Sequence, residues 1–225
     1  MSTASAPDPG PGSSPATHAT PIVFVVDDDV SVRESLELLI RYAGWHPETF
    51  ASAREFLARP PVHAPGCLVL DVGLPDLNGL DLQERVAAER SDLPIIFITG
   101  YGDVPMTVRA MKAGAVEFLT KPFGDDVLLG AIRQAIEHSR ITLGHEAEIQ
   151  ALREAYASLT RREREVMVLV ASGLSNKRVG RELGISLITV KAHRGRMMRK
   201  MTAGSIADLV TMSARLGLTL AVGDH

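Results

Sequence analysis

From Ile22 onward, short apolar runs alternate with segments whose apolar residues recur every three to four positions. The run Ile22 to Val26 is followed by Val32, Leu36, Leu39 and Ile40, a spacing that predicts a strand and then a helix over about residues 30–43. A weaker strand around Glu48 to Phe50 leads to a helix from Ser52. Three further pairs follow: strand 67–71 with helix 78–89, strand 94–99 with helix 104–113, and strand 115–119 with a helix beginning near Asp125. Five strand–helix units without hairpin turns predict an α/β fold, a doubly wound five-stranded parallel sheet, over residues 21–138.

Helical spacing continues past that domain. Leu128, Leu129, Ile132 and Ile136 are followed by Leu143, Ile149, Leu152 and Tyr156, with Gly144 expected to break or bend the helix. Residues 125–138 are therefore read as the last helix of the first domain and 139–158 as a helical linker. Thr160-Arg161-Arg162-Glu163 then fits a capping box, in which the Thr and Glu side chains take up free backbone amides at a helix start. Beyond it only helices are predicted, near 161–172, 176–183, 187–201 and 206–216, giving an all-α domain at 159–217. Residues 1–20, rich in Ala, Pro, Ser, Thr and Gly, are expected to be a disordered tail, and 218–225 a second tail.

Charge divides the chain at the same place. Residues 1–158 hold 12 Lys/Arg against 22 Asp/Glu, a formal −10, and residues 159–225 hold 12 against 5, a formal +7. An acidic module thus precedes a basic one. The single cysteine, Cys67, excludes an intrachain disulfide and is read as strand packing. No apolar stretch reaches the roughly 18–20 residues of a membrane helix, and the first residues lack the pattern of a secretory signal. A cytoplasmic protein without membrane contact is expected.

The acidic module ends its strands on reactive side chains. Asp71 closes the run Cys67-Leu68-Val69-Leu70, Asp27-Asp28-Asp29 closes the first strand, Thr99-Gly100 the fourth and Lys121-Pro122 the fifth. In an open parallel sheet such strand ends share one edge, where these folds place their sites. Clustered carboxylates there raise one another's pKa or call for a counter-cation, and a hard divalent ion such as Mg²⁺ suits oxygen donors. A carboxylate can itself attack phosphorus to give an aspartyl phosphate. Lys121 and the Thr99 hydroxyl could then hold the phosphoryl oxygens. Asp29 is read as the cap of the following helix.

In the basic module, Ser175-Asn176-Lys177, Val179, Leu183, Gly184 and Ile185 predict a short helix and a tight turn before a longer helix after Ser186, a helix-turn-helix pattern. On the longer helix Val190, Met197 and Met201 share one face, expected to pack inward. Ala192, Gly195 and Arg199 centre the opposite face, flanked by Lys191, Arg196 and Thr189. That second face should meet DNA, with the small residues 192 and 195 allowing close approach to the groove and Lys177, Arg178 and Arg181 adding phosphate contacts. His193 and Met198 are read as structural.

Two resemblances follow from these residues. Val26-Asp27-Asp28, Leu70-Asp71-Val72-Gly73-Leu74-Pro75, Ile98-Thr99-Gly100 and Phe118-Leu119-Thr120-Lys121-Pro122-Phe123 resemble the flavodoxin-like receiver domain of two-component response regulators. Leu159-Thr160-Arg161-Arg162-Glu163-Arg164-Glu165-Val166, Gly173-Leu174-Ser175-Asn176-Lys177 and Thr189-Val190-Lys191-Ala192-His193 resemble the LuxR-type DNA-binding domain, and the pair is similar to the NarL/FixJ family, nearest its FixJ-like branch. The resemblance implies Asp71 as phosphoacceptor and Mg²⁺ held by Asp28, Asp71 and the Gly73 carbonyl, with Asp27 acting through water. It implies Thr99 and Lys121 on the phosphoryl group, Phe118 turning inward on activation, and a cis Lys121–Pro122 peptide. It further implies a sensor histidine kinase, double-stranded promoter DNA and RNA polymerase as partners, a homodimer when phosphorylated, and no enzyme activity beyond the receiver's own phosphoryl transfer and dephosphorylation. Gly73 and Gly180 depart from the family's usual residues, Gly180 being expected to loosen the first helix of the motif.

Three rival readings remain. A haloacid-dehalogenase phosphatase needs a second Asp where Gly73 stands, and a flavin binder needs a phosphate-cradling loop where three aspartates stand. The third is a constitutive DNA-binding regulator whose receiver is only a dimerisation scaffold.

Overall fold

The computed structural model describes residues 20–100 and 102–218, so the predicted tails lie outside it apart from Thr20 and Leu218. The chain divides into two compact units between His145 and Glu146.

In the first unit, β1 (Ile22–Val26), β2 (His46–Phe50), β3 (Gly66–Asp71), β4 (Ile95–Thr99) and β5 (Glu117–Thr120) form one parallel sheet in the order β2-β1-β3-β4-β5. The predicted doubly wound sheet is present. Alternate strand residues feed two cores. Val23, Val25, Val69, Ile96 and Ile98 pack with α1 (Val30–Tyr42) and α5 (Asp125–Ala157), while Phe24, Leu68, Leu70 and Phe97 pack with α2 (Ala53–Leu57), α3 (Gly79–Glu89) and α4 (Val104–Lys112). A strand covered on both faces has no solvent side, which is why β3 reads as a continuous apolar run and all six of its residues are buried. Cys67 lies within it, its thiol pKa pushed up by burial.

Two glycines let backbone segments touch. A Cβ at Gly66 would stand 2.3 Å from the Ile22 carbonyl oxygen, and one at Gly79 would stand 2.5 Å from the Asp71 carbonyl oxygen. The Gly79 amide also donates to the Val72 carbonyl at 3.0 Å.

Some boundaries differ from expectation. β5 starts at Glu117 rather than 115, because the Ala115 amide still bonds to Ala110 at the end of α4. β2 begins two residues earlier than predicted, at His46. Gly144 does not break the helix: α5 runs uninterrupted through 33 residues. Glycine weakens a helix by about 1 kcal/mol relative to Ala but keeps its amide, so the hydrogen-bond ladder passes through it. Packing in the first unit also reaches beyond residue 138, since fully buried Ser139 accepts the Gly66 amide on its Oγ at 3.2 Å.

In the second unit, α6 (Arg161–Ala171), α7 (Asn176–Leu183), α8 (Leu187–Lys200) and α9 (Ile206–Arg215) enclose Val166, Met167, Val170, Val179, Val190, Met197, Met201 and Leu209, with Leu152 and Leu159 beside them. Gly184 ends α7 in the left-handed conformation, φ +64°, and α8 starts three residues after it with Ser186 as its cap. Gly180 sits on α7 where the following turn packs against the helix. A Cβ there would lie 2.9 Å from the Ile185 carbonyl oxygen, so the missing methyl is what allows the turn to close over α7.

The capping box at Thr160 forms as predicted and gains a partner that sequence did not suggest. Glu163, 2% exposed, accepts the Thr160 amide on Oε2 at 2.9 Å, and Lys200 at the end of α8 donates to the same oxygen at 2.7 Å and to the Ser158 carbonyl at 3.0 Å. The Lys200 bond, then the Thr160 amide, lower the Glu163 pKa from the ordinary 4.5 to about 2. A carboxylate with a depressed folded pKa contributes stability above its unfolded value and loses it as pH falls through the folded one. The second unit of wild type should therefore destabilise between about pH 4.5 and 2, and Glu163→Gln should be weaker at neutral pH but flatter across that window. Methyl NMR signals of Met167 and Met197 in the full chain report this, and parallel acid profiles for the two proteins would count against it.

Candidate functional site

The parallel registers bring the strand ends together. Val26 pairs with Leu70, Asp71 with Ile98, and Thr99 with Thr120, so residues 27, 71, 99 and 121 emerge at one edge. Lys121 Nζ donates to Asp27 Oδ2 at 2.6 Å and to Asp71 Oδ1 at 3.2 Å, while Asp71 Oδ2 accepts the Gly73 amide at 2.8 Å. Asp27 Oδ1 accepts the Asp29 amide at 2.9 Å, and its carbonyl is held by Arg33 at 2.6 Å, a contact absent from the sequence reading. Asp27, Asp71 and Thr99 are 1%, 8% and 5% exposed, whereas Asp28 is exposed beside them. The Lys121–Pro122 peptide is cis.

Burial dominates the electrostatics. It raises the Asp27 pKa above the usual carboxylate value despite the Lys121 bond, and repulsion from Asp71, the cause expected from sequence, contributes less. Burial also works against the Lys121 ammonium, but the bonds and charges of Asp27 and Asp71 prevail and hold its pKa above the usual lysine value. Lys121 is thus the counter-cation of this edge.

Phe118 is half-buried, its ring centroid 5.9 Å from that of Phe97. Gly102, in the segment after β4, lies close over it, since a Cβ there would stand 3.0 Å from Phe118 Cε1 and 2.9 Å from Thr120 Cγ2. Asp29 caps α1 as expected, accepting the Ser31 amide at 2.8 Å.

On the second unit, Lys191, Ala192, Gly195, Arg196 and Arg199 are exposed and line one shallow depression. Val190, Met197 and Met201 are buried on the other side of α8. Lys177 is exposed on α7. Thr189, expected to flank the exposed face, is instead half-buried, with its hydroxyl 2.8 Å from the capping Ser186 Oγ. His193 turns partly inward and buries Nδ1. Arg194, not singled out from sequence, donates to Asn176 Oδ1 at 3.1 Å and ties α8 to the start of α7. No helix among the described residues is long and apolar enough to cross a membrane.

Comparison with known proteins agrees with both units. Residues 23–133 match the response regulator receiver domain, and residues 157–213 match the bacterial regulatory proteins of the luxR family. The chain is 49% identical to nodulation protein W of Bradyrhizobium diazoefficiens over 210 residues, covering 93% of this chain and 92% of that protein. It is 43% identical to the transcriptional regulatory protein FixJ of the same species over 196 residues, 87% and 96% of the two chains. Among solved structures, the response regulator StyR superposes with a TM-score of 0.80 at 47% identity, covering 88% of this chain and all of StyR. With a receiver fold, a LuxR-type helical domain and relatives matched over nearly their full length, the chain belongs to the two-component response regulators, in the FixJ-like group of phosphorylation-activated, DNA-binding transcriptional regulators.

Proposed function

We propose that Asp71 is the residue through which this regulator is switched. The observation that carries this reading is the convergence of Lys121 on Asp27 and Asp71, an ammonium already placed against the carboxylate that would receive the phosphoryl group. An Asp71 oxygen attacks phosphorus, the bond from phosphorus to the kinase histidine nitrogen breaks, and the imidazole leaves with that electron pair. Lys121 and the Gly73 amide then face the new phosphoryl oxygens, and the Thr99 hydroxyl completes their hydrogen bonding. Phe118 moves with Thr99, coupling the pocket to the surface of α4 and β5.

The donor set suits Mg²⁺. Among the described residues no three His, Cys, Asp or Glu side chains form a self-contained metal cage, and Mg²⁺ is commonly held by one or two carboxylates with waters completing its shell. Asp28, Asp71 and the Gly73 carbonyl would hold the ion, with Asp27 acting through water. When bound, it supplies charge neutralisation for phosphoryl transfer.

On the output side, Lys191, Ala192, Gly195, Arg196 and Arg199 form the surface that enters the major groove, with Lys177 on phosphate and Thr189 supporting the helix start. Phosphorylation favours a homodimer through the exposed apolar side chains Val104, Val108 and Met111 of α4, and two linked basic units gain affinity through effective concentration. The bound dimer, in the cytoplasm, acts on RNA polymerase at the promoter. Solution mass with Mg²⁺ and beryllofluoride, an acyl-phosphate mimic, tests this reading: the mass should double, and an unchanged monomer with the mimic bound would defeat it.

A further inference from the structure

Ile188 is 81% exposed at the first turn of α8. Isolated exposed apolar residues are ordinary on protein surfaces; what distinguishes this one is its position. At about 100° per residue, Ile188 falls within roughly 40° of Ala192, Gly195 and Arg199, at the centre of the stripe those residues define. Basic side chains surround it: Lys191 and Arg196 line the same depression as that stripe, and α8 contains no acidic residue. The Ser186 cap holds the turn that carries it, with Ser186 Oγ accepting the Thr189 amide at 3.1 Å. In helix-turn-helix domains it is the N-terminal part of this helix that reaches base edges. The major groove offers one apolar group to such a side chain, the 5-methyl of thymine.

We infer that Ile188 is a specificity-determining residue that packs against a thymine 5-methyl in each half-site, while the surrounding Lys and Arg side chains hold the phosphates and the small residues 192 and 195 let the helix sink deep enough for contact. This rests on α8 being the reading helix. Ile188 is 81% exposed on this face, and its branched side chain would fill the space between helix and base edge that a polar residue would leave wet. Covering it also removes an apolar surface from water that the free protein leaves open.

Full-length protein activated with beryllofluoride and Mg²⁺ should select, from a pool of randomised duplexes, sites with a thymine at one fixed position per half-site. Replacing that thymine by deoxyuracil, which deletes only the methyl, should weaken wild type about fourfold per half-site, the value of one buried carbon. Ile188→Ala, folded by circular dichroism because the side chain is exposed, should lose the preference and be indifferent to the replacement. The inference is overturned if wild type ignores the methyl, or if Ile188→Ala keeps the same thymine and the same penalty. Lys191→Ala and Arg199→Ala, run in parallel, separate the two levels. Unchanged binding by both would remove α8 as the reading helix altogether, whereas weakened binding by both with an unaltered Ile188→Ala would sink only the methyl contact.

Discussion

Lys121→Met should destabilise the receiver unit by about 3 kcal/mol at neutral pH, and much of that loss should vanish in mild acid. Removing one partner of a buried ion pair costs about 3–5 kcal/mol because it strands the other charge. The lower end applies here, since the Lys121 side chain is 25% exposed while Asp27 is 1% exposed. The sign of the pH effect follows from Asp27, whose folded pKa is raised, first by burial. A carboxylate with a raised folded pKa favours the folded state when protonated, below its unfolded value, and that contribution is lost as pH rises through the folded pKa. Without Lys121 the folded pKa climbs further, so the penalty grows with pH and levels off only above that new value. Urea midpoints at pH 5 and 7.5 measure it, and Asp27→Asn combined with Lys121→Met should recover most of the neutral-pH loss. Equal losses at both pH values, with no recovery in the double variant, would show that the ammonium is not what keeps Asp27 charged.

The second large effect concerns signalling rather than stability. Asp71→Asn should bind promoter DNA with the resting affinity of wild type and show none of the gain that wild type acquires with an acyl-phosphate donor. That gain should be on the order of 10²–10⁴, the range over which linking two modest binding units raises apparent affinity. The variant should remain folded: Asp27 keeps its Lys121 partner at 2.6 Å, and the new amide oxygen can still accept the Gly73 N–H. Titration of a promoter fragment with and without acetyl phosphate, alongside sedimentation, compares the two proteins. Equal affinity for both under both conditions would favour a receiver that serves only as a scaffold.

Much of this molecule is written locally. Strands β1, β3, β4 and β5 announce themselves by apolar runs that give way to polar residues, so the edge carrying Asp27, Asp71, Thr99 and Lys121 can be assembled from the order of elements before any coordinates, whereas β2, His46-Pro47-Glu48-Thr49-Phe50, gives only a weak signal. The inward face of α8 is legible for the same reason: Val190, Met197 and Met201 repeat at helical spacing, and all three are buried. What escapes is the long-range polar contact. Ser139 meets Gly66 across 73 positions, Lys200 meets Glu163 across 37 and Arg194 meets Asn176 across 18. No periodicity encodes such pairs, because a single polar side chain in a helix looks the same whether it faces water or a distant partner. Gly144 misleads in the opposite direction, being a weak helix former in a segment whose apolar spacing outweighs it. Ile188 is overlooked because a search for a nucleic-acid face follows charge, and an isoleucine draws the eye toward a core.

The close approach of Gly79 to the Asp71 carbonyl bears on how stiffness is distributed around the pocket. β3 is hydrogen-bonded on both sides, covered on both faces, and pressed at its last residue by the backbone of α3. At the far margin of the sheet, β5 has a neighbour on one side only, and its four residues are exposed or half-buried. A charge added at Asp71 therefore pushes against an anvil on one side and a compliant rim on the other. On the proposed switch, displacement would take the softer route, through Thr99 toward Phe118, so the shape change would surface along β5 and α4 while Asp71 keeps its place.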